Sequence, residues 1–213
     1  MVEKELKEAI KIMKKQSPSR NFVESVDIAI NLRDINLQDP AKRFQLDVQL
    51  PNSVKKDIKI CVLAEGSQLV EAQSAGAARV IDKEELESIS REPKLAKKIA
   101  QQYDFFVASA PLMPLIGRNL GKYLGPRGKM PKPVPPTAPI EPLLQKYSAT
   151  VQIRLRQSPV IHARIGTVDM ENDALAENAL TVVGNVESRL DKGENNIRSI
   201  IIKTTMGPPI KVK

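Results

Sequence analysis

The sequence predicts an α/β fold, in which both ends of the chain build one α+β domain and a parallel βαβ domain is inserted between them. Three observations carry this expectation. Half-buried strand patterns, apolar alternating with polar, stand at 26–31 and 44–50 and return at 151–155 and 160–165. Continuous apolar runs, as expected of strands covered on both faces, stand at 58–64 and 105–108 and alternate with helical patterns. The first 57 residues offer one helix and two strands, too little for a core of their own, so they need the last 64. The boundaries are therefore set at 1–57 with 150–213 for the split domain, and 58–149 for the insert.

The elements follow in order. Val2, Leu6, Ala9, Ile10 and Met13 recur at helical spacing and predict an amphipathic helix over 2–15, stopped by Ser17-Pro18-Ser19. Val26, Ile28 and Ile30 alternate with Asp27, Ala29 and Asn31, and Phe44, Leu46, Val48 and Leu50 with Gln45, Asp47 and Gln49. Pro51 ends the second strand. Helical patterns over 67–75 and 84–102 flank a short strand at Arg79-Val80-Ile81. Residues 111–142 hold nine of the 16 prolines and read as loop-rich. Val151, Ile153 and Leu155 alternate with Gln152, Arg154 and Arg156, and a turn at Gln157-Ser158-Pro159 predicts a hairpin with 160–165. Leu175, Ala179, Val182, Val183, Val186 and Leu190 mark a long helix ending near Gly193. A last strand opens at Ile200, Ile201 and Ile202 and runs to Thr205, and 210–213 closes the chain as a short basic strand or tail. The two crossings between domains fall near 56–58 and 148–151.

Composition narrows the function. The net charge is +8 and the pI about 9.5, which suits an anionic partner, nucleic acid first and an acidic membrane surface second. The plain alternative is a protein that is merely basic. Cys61 is the single cysteine, in an apolar run, and fits a core position in a reducing, cytoplasmic setting. No apolar run has the length of a membrane span, and the charged N-terminus does not read as a secretory signal. Aromatic residues are 3% of the chain with no tryptophan, so RNA read by shape, phosphate and 2′-hydroxyl is favoured over a single strand stacked on rings.

No catalytic set, metal set or cofactor site stands out. His162 is the one histidine and has no partner at metal-ligand spacing. Gly117-Arg118-Asn119-Leu120-Gly121-Lys122 is one residue short of a P-loop and has Tyr123 where the hydroxyl residue belongs. After the strand at 58–64 only Gly66 follows, so a dinucleotide fingerprint is missing.

Three segments favour binding. Residues 117–133 hold four of the ten glycines and the cations Arg118, Lys122, Arg127, Lys129 and Lys132, with no acid among them. Such a segment suits an anionic surface; the bland reading is a solvated basic loop. Ser199 to Pro209 places Thr204 and Thr205 hydroxyls, Met206 and a close-approach Gly207 at a strand end. Ser19 to Ser25 is a polar strand entry with one exposed-looking ring, Phe22.

Together these residues resemble the L one family of large-subunit ribosomal proteins. The tract from Leu112 to Pro133 looks like the family signature. Asn21-Phe22-Val23-Glu24-Ser25-Val26-Asp27, Leu50-Pro51, Ile161-His162-Ala163 with Gly166, and Thr204-Thr205-Met206-Gly207-Pro208 fit as well. The Lys132-Pro133 ending resembles the archaeal branch. The resemblance implies a split α+β domain with a Rossmann-like insert and no enzymatic role. It implies a monomer when free that binds the mobile rRNA stalk near the tRNA exit site and assists release of deacylated tRNA. It also implies repression of translation through the protein's own mRNA. Carried over, Phe22, Glu24, Ser25, Arg154, Ser199, Thr205, Met206 and Gly207 would lie on RNA, with Arg118, Lys122, Arg127, Lys129 and Lys132 as a second basic contact. Two rival readings stay open: an enzyme using the βαβ domain for a nucleotide or phosphorylated substrate, and a basic docking surface for an acidic protein.

Overall fold

The computed structural model describes residues 2–18, 20–54, 58–136 and 138–212. Ser19 of the expected helix stop, residues 56 and 57 of one expected crossing, and Lys213 of the expected tail lie outside them. The chain divides into two compact units, Met1–Lys56 with Ala149–Lys213, and Asp57–Ser148.

In chain order the elements begin with α1 (Val2–Gln16), β1 (Ser25–Leu32) and β2 (Phe44–Gln49). The middle holds β3 (Ile60–Leu63), α2 (Ser67–Ser74), β4 (Arg79–Ile81), α3 (Lys83–Arg91), α4 (Pro93–Gln102), β5 (Phe105–Ser109), α5 (Met113–Leu124), β6 (Lys132–Val134) and α6 (Glu141–Ser148). The chain ends with β7 (Thr150–Leu155), β8 (Val160–Thr167), α7 (Asn172–Glu187), β9 (Ile197–Thr204) and β10 (Ile210–Lys211). Helices and parallel and antiparallel strands together make the expected α/β fold.

The terminal unit holds an antiparallel sheet in the order β10–β9–β1–β8 and a separate pair, β2–β7. Alternation explains its layers. Val26, Ile28, Ile30 and Leu32 of β1 point inward and share one core with Leu6, Ile10 and Met13 of α1 and Leu175, Ala179, Val182 and Val186 of α7. The other face of the sheet, with Asp27, Ala29, Asn31, His162, Arg164, Ser199, Ile201 and Lys203, stays partly exposed. Gly166 sits where a Cβ would come within 2.5 Å of Leu175 Cδ2 and 2.6 Å of Met170 Sδ, so glycine lets α7 close on β8.

The middle unit is a parallel sheet in the order β4–β3–β5–β6. Cys61, Leu63 and Phe106 face α3, α4 and α5; Ile60, Val62 and Val107 face Ala72 of α2 and Leu144 of α6. Burial on both faces is what the unbroken apolar runs anticipate.

Three expectations fail for identifiable reasons. The helix over 84–102 is two helices. Pro93 has no N–H and forces Glu92 into an extended conformation, φ −112 and ψ 92, which ends α3. Residues 113–124 are helix rather than loop. Leu112, Ile116, Leu120 and Leu124 recur every four residues and are all buried. The expected hairpin is not a ladder: β7 pairs with β2 and β8 with β1. The turn brings the Pro159 carbonyl to the Leu32 N–H at 2.8 Å, which commits β8 to the edge of β1.

Candidate nucleic-acid interface

The candidate interface starts where β1 begins and β9 ends. Ser25 N–H donates to Thr205 Oγ1 at 3.1 Å, and Thr205 N–H donates to Ser25 O at 3.0 Å. Two segments far apart in sequence are thereby joined, and apolar side chains flank the joint in solvent. Phe22, Val23 and Met206 are 53%, 58% and 60% exposed, three of the six large apolar side chains exposed among the described residues. Isolated exposed apolar residues need no explanation, but three beside one polar junction make a candidate contact surface.

Glu24 was expected on that surface and lies beneath it, only 4% exposed. Ser17 Oγ donates to Glu24 Oε2 at 2.9 Å. Arg20 Nε lies 3.0 Å from Oε1 as an ion pair without the alignment of a hydrogen bond. Thr204 Oγ1 lies 3.1 Å from Ser17 Oγ and accepts from Gly207 N–H at 2.9 Å. The Thr204 hydroxyl holds the Glu24 carboxyl below the usual carboxylate range, with Ser17, Arg20 and the Met206 backbone adding, against the cost of burial.

Gly207 was expected to make room for RNA. The room is occupied from inside: a Cβ there would collide with Thr204 Oγ1 and reach Ser17 Oγ at 3.4 Å. Thr204, whose hydroxyl the sequence offers for binding beside that of Thr205, is fully buried, so Thr205 alone of the pair faces out.

Ser199 stands on the partly exposed sheet face, where its Oγ accepts from Asn31 Nδ2 at 2.8 Å. Arg154 is exposed on β7, in the other sheet, opposite Gln45, and not at the Ser25–Thr205 junction. Partial loss of water around the guanidinium, then the nearby Arg156 charge, lowers its pKa. Two cations absent from the expected set share the face of Ser199. Lys203 and Arg164 both stand opposite Asp27, on either side of β1. The alternation in 160–165 and 199–205 already assigns both to the polar side and could have found them.

The basic glycine tract belongs to the other unit and divides in two. Arg118 and Lys122 are exposed on α5, one turn apart, with Lys122 Nζ 5.0 Å from the Tyr123 ring centre. A Cβ on Gly117 or Gly121 would meet nothing within 4 Å. Arg127 and Lys129 instead turn onto their own unit: Arg127 Nη1 donates to Tyr123 O at 3.4 Å and Lys129 Nζ to Tyr103 O at 2.6 Å. Lys132 is half-buried on β6.

Among the described residues no group of His, Cys, Asp or Glu is arranged to hold a metal, and no helix is long and apolar enough to cross a membrane. Burial pushes the Cys61 thiol up to about 12, which makes it a poor nucleophile.

Comparison with known proteins bears out the resemblance read from the sequence. Residues 12–208 match the pattern described as "Ribosomal protein L1p/L10e family". The protein "Large ribosomal subunit protein uL1" of Thermococcus kodakarensis is 49% identical, covering 98% of this chain and 96% of its own. Those of Methanothermobacter thermautotrophicus and Methanopyrus kandleri are 46% and 44% identical, covering 99% and 100% of this chain, and 100% and 99% of their own. With a match over nearly its whole length, the chain belongs to the ribosomal protein L1p/L10e family.

Proposed function

We propose that this chain is a non-enzymatic, structural protein of the large subunit of the cytoplasmic ribosome, and that it binds stalk rRNA through its terminal unit. The observation that carries the rRNA reading is the junction of Ser25 with Thr205, where Phe22, Val23 and Met206 stand exposed around polar backbone. Such an edge suits a folded RNA: hydroxyls and amides for ribose and phosphate, apolar side chains to lie on sugar or base. Ser199, Lys203 and Arg164 extend it along the sheet face, where cations meet phosphates without reading sequence. Arg154 on β7, and Arg118 and Lys122 on α5, are further contacts in this reading. The same surface would hold a regulatory site on the protein's own mRNA that imitates the rRNA, and the bound stalk would assist release of exit-site tRNA. Free protein would be a monomer.

The test is a filter-binding titration against a stalk-type rRNA fragment at several salt concentrations, for wild type and for Thr205→Val with Met206→Ala. Binding in the range of about 10⁻⁸ M or tighter that is specific for the fragment and collapses in the variant supports the proposal. Weak binding to any RNA, indifferent to the variant, removes it and returns the acidic-partner reading.

A further inference from the structure

We infer that Glu24 is a positioning residue: with Ser17 and Thr204 it holds the turn Thr205–Met206–Gly207 in the shape that meets RNA, and does not touch RNA itself. The inference rests on the RNA-binding reading above. A carboxylate at an RNA-facing edge is repelled by phosphate, so its presence needs a reason. The geometry gives one. The cluster joins three pieces of chain: Ser17 just past α1, Glu24 just before β1, and Thr204 at the end of β9. Glu24 is 4% exposed and Thr204 fully buried, so neither presents an oxygen to a partner. Their link to the surface is the Gly207 N–H, which donates to Thr204 Oγ1 at 2.9 Å. Gly207 also packs so closely on that oxygen that the hydroxyl rotamer and the turn fix each other. Arg20 offsets the buried charge at 3.0 Å. Glutamine in place of Glu24 keeps an oxygen for the Ser17 hydroxyl and drops the charge; alanine drops both.

The experiment compares wild type, Glu24→Ala, Glu24→Gln and, as a control for reduced stability, Val182→Ala in the buried face of α7. Two readouts are taken: affinity for the stalk-type rRNA fragment across a salt series, and hydrogen exchange of the Gly207 amide without RNA. Glu24→Ala should weaken binding about tenfold or more, since a buried group loses a charged partner. Its salt slope should equal wild type, because every cation that meets a phosphate is still in place. Gly207 should exchange faster. Glu24→Gln should stay within about threefold of wild type, and Val182→Ala should melt earlier yet bind unchanged. Binding by Glu24→Ala that equals or exceeds wild type overturns the inference. So does unchanged Gly207 protection, or equal weakening by Val182→Ala. Failure of wild type to bind the fragment removes the RNA reading instead, while amide exchange still judges whether Glu24 holds the turn.

Discussion

Gly207 and Thr204 show what single residues contribute and how far they can be read in advance. Gly207 is readable as an obligatory glycine, but its cause is internal, because Thr204 Oγ1 fills the space of a side chain. Thr204 itself was legible in principle: Ile200 and Ile202 face the core, and Thr204 continues that alternation. The adjacent Thr205 obscures it by giving the strand end the look of a polar pair. The steric cause predicts non-additivity. Gly207→Ala should destabilise the protein by about 1–3 kcal/mol as an overpacking change. Thr204→Ala should also destabilise, yet the double substitution should cost less than the sum, because the methyl then has room. Urea unfolding of the three variants measures this, and simple additivity would contradict the clash. Cys61 gives a second prediction. Fully buried, with its thiol pushed up to about 12, it should react with a thiol reagent at pH 8 only as fast as the protein opens. Labelling that keeps pace with a free thiol would contradict the packing between β3 and the helices.

At the scale of elements, α5 is the segment composition misrepresents. Glycines and prolines gave it the look of a loop, and each interior glycine does cost a helix about 1 kcal/mol. Ile116, Leu120 and Leu124 each bury a side chain fully or nearly so, worth about 1.5–3 kcal/mol apiece, and that outweighs the glycines. The period of four was in the sequence; the glycine count overrode it. Position on the helix then separates the cations. Arg118 and Lys122 project into solvent, whereas Arg127 and Lys129 bond carbonyls of Tyr123 and Tyr103. Replacing Arg118 and Lys122 by Gln should reduce the salt slope of rRNA binding by about two, one for each phosphate no longer neutralised, with the melting temperature unchanged. Replacing Arg127 and Lys129 should lower the melting temperature and leave the slope near wild type. The reverse pattern would make the signature's second half its RNA contact and the α5 face mere architecture.

For the whole molecule, the legible part is the contrast between strands with one wet face and strands with none, because burial on one side or two leaves different patterns. Strand pairing was less legible. The turn at Pro159 sets adjacency in the chain, but which edge each strand meets depends on partners more than a hundred residues away, as with Leu32 and Pro159. The same long-range pairing brings the two ends of the terminal unit's gap together. Gln49 pairs with Thr150, and Leu50 N–H donates to Ala149 O at 2.8 Å. Beyond it, Asn178 of α7 is fully buried and clamps the exit: its Nδ2 donates to Asn52 O at 2.9 Å and Ile165 O at 2.8 Å, and its Oδ1 accepts from Asn52 N–H at 3.0 Å. A connection of about four residues in place of 53–148 should therefore close without strain, as short loops between neighbouring strands do. The shortened protein keeps the Ser25–Thr205 junction and, apart from Val54, the core of α1, α7 and the sheet. It should unfold in one cooperative step and bind the rRNA fragment within about tenfold of the whole chain, short mainly of the α5 cations. Asn178→Leu in that background should abolish the clamp and lower stability by about 1–3 kcal/mol, since buried backbone groups lose their partners. A shortened protein that fails to fold would mean that the terminal core depends on the insert, and that the split is a feature of the chain path rather than of stability.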